Sequence, residues 1–394
     1  MRPTGGIYVM CFMLSLTCFS FLASDWGFYA HRKINFYAAL TIPPPLNRFF
    51  KTHISYLREH AVDPDRRRYA TPGEGPRHFI DLDRWYREDS LLLSGDYTTD
   101  RILMGHWEWH EGDGVRRLNP RGRKDGRLEF TSSDYSMMVD SFALRQEVFS
   151  HYSDSTLKIS SFLYPGRDGE LIFVDSFSHH GIVPYVVERL YDRLVVEMAS
   201  QNPDAVRRIC ADIGHYIGDA HVPLHTTSNY NGQFTDQIGI HAFWESRIPE
   251  LFEETHFNSL PGRAKYIGDI HEFIWNIVRT SYSLVSEVLE KEKLARERVS
   301  QQNHYCYEER GSNLVRTQCP ELTRAYMELM DGMVQERWIE SIRAVGSVWY
   351  SAWMDAGQPD LWSQPLNANA DSSFLDRLLG RLDFFSGDHR SGLH

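Results

Sequence analysis

The sequence predicts an all-α protein. Apolar residues recur at spacings of three and four along five long stretches, whereas the strict alternation that is typical of strands is scarce. The chain has 394 residues, of which 42% are hydrophobic, and this is enough for one large domain or two medium ones. The predicted helices cover residues 46–62, 185–199, 205–219, 267–289 and 321–354.

The first 24 residues have the pattern of an export signal. Arg2 supplies a positive start, residues 7–22 are apolar and uncharged, and Ala23 and Ser24 are small enough for peptidase cleavage. We therefore expect a periplasmic or extracellular protein, and an uncleaved membrane anchor is the alternative. One domain is expected over residues 25–365, followed by a polar tail over residues 366–394.

Charge limits the possible partners. The chain has 42 Lys and Arg against 53 Asp and Glu, so it lacks the overall basic field that holds long duplex nucleic acid.

Helical periodicity weakens over residues 84–169, which we interpret as an irregular insertion. Residues 112–127 combine Gly, Asn and Pro with six basic side chains, as expected for a solvated loop or for an arm that binds phosphate.

Three cysteines lie beyond the predicted signal. Cys306 and Cys319 could form a disulfide that closes a short loop in an exported protein. Cys210 lies within an apolar helical stretch and is expected to be a buried thiol.

The densest group of possible metal ligands lies between residues 215 and 245. His215 and Asp219 are four apart on one predicted helix, and His241 and Glu245 are four apart on a second, so each pair shares a helix face. A proline turn allows His225 to return toward the same place. Because buried imidazoles and carboxylates at this density need a cation, the pattern predicts a metal site.

Two weaker groups precede this one. The first has Asp63 and Arg66, then His78, Phe79 and Asp81, although Asp-Pro-Asp is also a common turn. The second lies directly after the predicted signal, where Trp26 precedes His31 and could equally be a core anchor.

Taken in order, the three groups resemble the zinc-dependent phospholipase C and single-strand-specific nuclease superfamily, which includes the S-one/P-one type endonucleases. The resemblance implies a multi-helix bundle around a cluster of up to three zinc ions. It assigns Asp63, His78, His215 and Asp219 to one zinc; His225, His241 and Glu245 to a second; and the main chain of Trp26 with His31 and bridging Asp219 to a third.

Spacing divides the two branches of this superfamily. The glutamate at position 245 and the gap of sixteen residues from His225 to His241 are similar to the phospholipases, whereas the spacings of Trp26 to His31 and of Asp63 to His78 are similar to the nucleases. The nuclease branch also implies that Arg66 lies beside the reactive phosphate, and that Phe79 stacks on a base whose edge Asp81 reads. Phe79 could equally be an ordinary core residue.

The expected function is a secreted zinc-dependent endonuclease that converts single-stranded DNA or RNA to 5′-phosphates. The resemblance implies that a hydroxide between two zincs attacks the phosphodiester, and that Asp63, Arg66 and Asp219 are the catalytic residues. The alternatives are a zinc-dependent phospholipase C and a non-catalytic zinc-binding protein. No stable protein partner is inferred. The third zinc departs from the family, because Asp25 precedes Trp26 and signal cleavage would leave the Trp26 nitrogen as an amide.

Overall fold

The computed structural model describes residues 27–111, 114–118, 123–124, 127–128, 156–159, 170–257, 259–310 and 313–361. These residues are mostly helical, which is compatible with the predicted all-α class. The predicted signal segment, Trp26 and the predicted tail over 366–394 lie outside the described residues. None of the helices in the described part of the chain is both long and apolar enough to span a membrane.

The helices are α1 Gly27–Thr41, α2 Asn47–Thr52, α3 Ile54–His60, α4 Asp63–Arg67, α5 Leu82–Trp85, α6 Tyr97–Met104, α7 Val183–Ala199, α8 Pro203–Ala220, α9 Ile240–Ala242, α10 Ile248–His256, α11 Ile270–Ser283, α12 Val285–Arg298, α13 Pro320–Leu329 and α14 Met333–Asp355. A π-helical segment, Phe243–Arg247, joins α9 to α10. Short 3-10 helices lie at Gly75–His78, Ser178–His180, Pro223–Thr226 and Gln301–Asn303.

Two of the predicted helices match α7 and α8, and three are interrupted. The stretch over 46–62 divides at His53, and the stretch over 267–289 divides at Leu284 and continues to Arg298. The stretch over 321–354 divides where Asp331 and Gly332 have positive φ angles of 47° and 88°. A left-handed residue ends an α-helix, whereas the apolar spacing runs on through the break.

The main core lies between α1, α7, α8 and α14. Trp349 on α14 is fully buried, stacks on Phe50 with ring centroids 4.9 Å apart, and donates its indole N–H to the Cys210 carbonyl at 3.1 Å. Cys210 is a buried free thiol, as predicted, and burial raises its pKa well above the ordinary value. These contacts pack α14 against α2 and against α8, the helix that carries part of the candidate site.

Strands occupy part of the segment that the sequence suggested to be irregular, and one more strand directly follows it. They are β1 Tyr86–Arg87, β2 Ser90–Leu91, β3 His106–Glu111, β4 Gly114–Leu118, β5 Arg123–Lys124, β6 Arg127–Leu128, β7 Thr156–Ile159 and β8 Glu170–Val174. Four of them form an antiparallel sheet in the order β4-β3-β8-β7. The alternation of His, Trp and Glu along β3 is the strand period of two, too short to stand out in the sequence.

A hairpin of β9 Tyr305–Arg310 and β10 Asn313–Gln318 precedes α13. The predicted disulfide between Cys306 and Cys319 is present and ties the start of β9 to the residue after β10. Arg247 donates to the Gln318 carbonyl at 3.0 Å and to the Glu308 carboxylate at 3.0 Å. The disulfide is consistent with an exported protein.

Candidate metal centre

Eight side chains of metal-ligand type converge in the interior. They come from α1, α4, α8, α9, the π-helical segment and the 3-10 helices at Gly75–His78 and Pro223–Thr226, and they are His31, Asp65, His78, His215, Asp219, His225, His241 and Glu245. All except Asp65 are buried, and the Asp65 side chain is 19% exposed. They form three groups that could each hold a metal ion, and two of these groups share His215.

Asp219 lies at the centre of this cluster. Its Oδ2 is 2.9 Å from His78 Nδ1 and 3.2 Å from His215 Nε2. Its Oδ1 is 3.3 Å from His31 Nε2 and 3.7 Å from His225 Nε2. The predicted pairing of His215 with Asp219 on one helix face is present, and Asp219 contacts members of all three groups.

The first group contains His78, His215 and Asp65. His215 Nε2 is 3.0 Å from His78 Nδ1, and Asp65 Oδ1 is 3.8 Å from both of these nitrogens. The sequence assigned Asp63 to this group, whereas the structure places the Asp65 carboxylate beside these two histidines.

Asp63 faces away from the cluster. Its side chain is 31% exposed and contacts His60 Nδ1 at 2.6 Å and Arg66 Nη1 at 3.0 Å. Successive residues of an α-helix turn by about 100°, so Asp63 and Asp65 point in nearly opposite directions from α4. Only one of them can face the histidines, and that residue is Asp65.

The second group contains His225, His241 and Glu245, as predicted. Glu245 Oε2 is 2.7 Å from His241 Nε2 and 3.3 Å from His225 Nε2. The spacing of four lies where α9 widens into the π-helical segment, and the two side chains still share a face.

His31 joins the two groups. Its Nε2 is 3.3 Å from Asp219 Oδ1 and 3.6 Å from Glu245 Oε1, and its ring stacks on His215 with centroids 3.8 Å apart. Asp219 therefore lies beside His31 as the predicted third position requires. Trp26, whose main chain was assigned to that position, lies outside the described residues.

Main-chain carbonyls orient two of the imidazoles. His215 Nδ1 lies 2.8 Å from the Ala61 carbonyl, and His225 Nδ1 lies 2.5 Å from the His78 carbonyl. A ring whose Nδ1–H is donated in this way keeps its lone pair at Nε2, and both Nε2 atoms face the cluster. These two rings are therefore held in the tautomer that binds a cation.

Charge in the cluster also favours a cation. Burial lowers the pKa of His31, but the carboxylates of Asp219 and Glu245 raise it by more, to about 10. Burial raises the pKa of Asp219, but the charges of His215, His225 and His31 lower it well below its ordinary range. The buried carboxylates therefore need positive charge, which either protons or metal ions can supply, and the nitrogen and oxygen donors could hold a metal ion.

The predicted substrate residues lie at the edge of this site or outside it. Arg66 is 52% exposed and pairs with Asp63, away from Asp65. Phe79 is 9% exposed, and a side chain on Gly181 would clash with its ring and carbonyl. Asp81 is buried, with Oδ2 3.2 Å from His180 Nδ1.

The sequence interpretation missed Arg68. Its Nη1 is 3.7 Å from Asp65 Oδ1, and its side chain is 22% exposed. Burial is the main reason that the pKa of His78 falls to about 4, and the charge of Arg68 lowers it further. The signal was present, because Asp-x-x-Arg occurs twice in overlapping register, once from Asp63 to Arg66 and once from Asp65 to Arg68.

A scan against protein-family models found no match, and a search of curated proteins found none either. The resemblance to the phospholipase C and nuclease superfamily therefore stays a prediction. The function of the site has to be inferred from the geometry and chemistry of its side chains.

Proposed function

We propose that this protein is a zinc-dependent phosphodiester hydrolase. The observation that carries the proposal is the position of the buried Asp219 carboxylate, which belongs to one candidate metal group and contacts histidines of the other two. A single structural zinc needs only four closed ligands, whereas adjoining groups joined by one carboxylate suit multi-metal hydrolytic sites.

The residues divide into two main ligand sets with a joining histidine. Asp65, His78 and His215 would hold one ion, His225, His241 and Glu245 another, and Asp219 lies between them with His31. Bound zinc would acidify a water molecule and neutralise charge on the phosphate. This chemistry breaks phosphodiesters without a separate strong base on the protein.

Arg68 supplies a second kind of positive charge. Its guanidinium lies beside Asp65 at the rim of the first group, where it is partly exposed and can meet an incoming phosphate. Asp65 holds the guanidinium in position, and a fixed donor to a phosphoryl oxygen stabilises charge that grows in the transition state. We assign to Arg68 the role that the sequence interpretation gave to Arg66.

Single-stranded nucleic acid is the substrate that we favour. Arg68 adds a local positive charge beside Asp65 in an otherwise acidic chain, and local charge suits a flexible strand. Phe79 and Asp81 closely follow the ligand His78, which supports the nuclease-like interpretation of this segment. The burial of Phe79 leaves little of its ring for stacking.

Glu245 supports a second candidate, a phospholipase C. In the resembling superfamily, glutamate at this position belongs to the phospholipases, and here it contacts His31, His225 and His241. Both candidates need the same metal chemistry and differ in the substrate.

A substrate panel separates these candidates. Protein stripped with EDTA and then restored with zinc is assayed on single-stranded DNA, duplex DNA, single-stranded RNA and phosphatidylcholine vesicles. We expect soluble nucleotides with 5′-phosphates from the single strands and loss of this activity in the stripped protein. Release of phosphocholine alone would favour the phospholipase, and bound zinc without any hydrolysis would contradict an enzyme.

Two histidine variants give matched controls. His215→Ala removes a ligand that contacts Asp219 and is expected to abolish activity and lower stability, because bound metal helps to hold the helices together. His256→Ala removes an exposed histidine at the end of α10 and is expected to change neither. A fully active His215→Ala protein would contradict the assignment.

A further inference from the structure

His78 faces the cluster in the opposite sense to His215 and His225. Its Nδ1 is the nitrogen that lies 2.9 Å from Asp219 and 3.0 Å from His215, whereas His215 and His225 present Nε2. The other nitrogen, His78 Nε2, is buried and has no hydrogen-bond partner among the described residues. The nearby carboxylate oxygen on that side is Glu74 Oε1, at 3.9 Å.

Glu74 is fully buried and firmly held. Arg77 Nη1 donates to its Oε2 at 3.1 Å, the Tyr216 hydroxyl donates to its Oε1, and Arg67 Nη2 is 3.6 Å away. The same Arg67 Nη2 donates to Asp212 Oδ2 at 2.9 Å. Glu74 directly precedes the 3-10 helix that ends at His78, so the chain itself places the carboxylate behind the imidazole.

Binding of a cation at His78 determines where the proton of this ring must be. An imidazole that gives its Nδ1 lone pair to a metal carries its remaining proton at Nε2. A buried N–H without an acceptor is destabilising. Main-chain carbonyls meet this need for His215 and His225, but on His78 the neighbouring acceptor is an anion.

We propose that Glu74 is a positioning residue of the metal centre, which accepts the His78 Nε2–H when a cation is bound at His78 Nδ1. This inference rests on the proposed metal centre and deepens it. The carboxylate fixes the His78 ring and makes Nδ1 a stronger donor, as carboxylate–histidine–metal arrangements do. Glu74 touches neither substrate nor metal and acts through His78 alone.

The anion also explains why Arg77 is buried beside the site and why Arg67 is only 15% exposed there. Arg67 and Arg77 neutralise Glu74 in the apolar interior, where an isolated carboxylate would be strongly unfavourable. Their contacts fix the position of both Glu74 oxygens, so a small movement of the His78 ring is enough to complete the hydrogen bond.

Zinc affinity tests the proposal directly. Glu74→Gln keeps the shape of the side chain and removes its charge. Stripped protein is titrated with zinc in competition with a chromophoric chelator, and we expect one binding step to weaken by about 10- to 100-fold, the usual loss for such a partner. Glu74→Asp keeps the negative charge that pairs with Arg67 and Arg77, so this variant should still fold. Its shorter side chain moves the carboxylate oxygens away from His78, so the same zinc-binding step should weaken.

Tyr216→Phe is the matched control. It removes another hydrogen bond to Glu74 but leaves the carboxylate behind His78, so it should lower the melting temperature without weakening the zinc step. Proton NMR of zinc-loaded protein gives a second readout. The His78 Nε2–H resonance should lie downfield in the wild type and in Tyr216→Phe, and should move upfield in Glu74→Gln.

The outcomes are distinct. Wild-type affinity in both Glu74 variants would overturn the inference and leave the proposed function intact. An equal loss in Tyr216→Phe would show that the whole buried group is merely structural and would also overturn it. A wild-type chain that binds no zinc would contradict the proposed function itself, and this inference with it.

Discussion

Replacing Arg68 by alanine tests which of two neighbouring arginines meets the phosphate. Arg68 is 22% exposed beside Asp65 at the cluster, whereas Arg66 is 52% exposed beside Asp63, which faces away. Arg68→Ala should therefore remove a transition-state donor, and Arg66→Ala should remove only a surface ion pair. Neither arginine is a metal ligand, so zinc content should stay unchanged in both variants.

The expected magnitudes differ enough to separate the two residues. Loss of one transition-state donor lowers turnover by about 10²- to 10³-fold, or about 2.7–4 kcal/mol. An exposed ion pair such as that of Arg66 with Asp63 contributes about 0–1 kcal/mol to folding stability. If all of that energy were lost from the transition state, turnover would fall by at most about fivefold. Arg68→Ala should therefore be slower than Arg66→Ala by at least roughly 20-fold.

The assay is steady-state hydrolysis of single-stranded DNA by zinc-loaded protein, with elemental analysis of the same samples. Arg68→Lys keeps the charge but loses the planar fork of donors, so we expect partial activity. Equal turnover of Arg68→Ala and the wild type would refute the placement of Arg68. A large defect in Arg66→Ala alone would restore the original sequence assignment.

Three further predictions concern the ligands, the charge and the disulfide. Asp65→Asn should lower bound zinc in elemental analysis and Asp63→Asn should not, because Asp65 alone of the two faces His78. In metal-free protein, the pKa of His31 is about 10 in the folded state against 6.5 for the free side chain. Protonated His31 therefore makes its full contribution to the free energy of unfolding below pH 6.5, and this contribution is lost as the pH rises toward 10. The melting temperature of stripped protein should fall over that range, and zinc should abolish the fall. Replacing both Cys306 and Cys319 by serine should lower the free energy of unfolding by about 2–3 kcal/mol in urea titrations, because the bond closes a short loop, with turnover unchanged.

The sequence predicts a helix correctly where the apolar residues that pack in the core recur at helical intervals along the chain. Helix α8 has apolar residues and the His215 and Asp219 pair at helical intervals, so its extent and its ligand face both follow from the sequence. The breaks at His53, Leu284 and Gly332 were missed because apolar spacing continues through them. Hydrophobic periodicity shows which face is buried and does not show where the chain turns.

The candidate site was predictable in its ligands and less so in its orientation. Asp63 and Asp65 both precede an arginine by three residues, so spacing cannot decide which of them faces the cluster. That choice depends on how α4 is rotated against α8, a tertiary contact. The reversed ring of His78 and the carboxylate of Glu74 behind it have no sequence signature for the same reason.

Zinc titration of stripped protein with simultaneous measurement of hydrolysis tests the central claim most directly. Bound zinc is counted by native mass spectrometry, and cleavage of single-stranded DNA is measured in the same samples. We predict no cleavage by the metal-free chain, and cleavage that rises as the groups around His215 and around His241 fill. Cleavage that persists without metal, or less than one zinc per chain at saturation, would contradict the account.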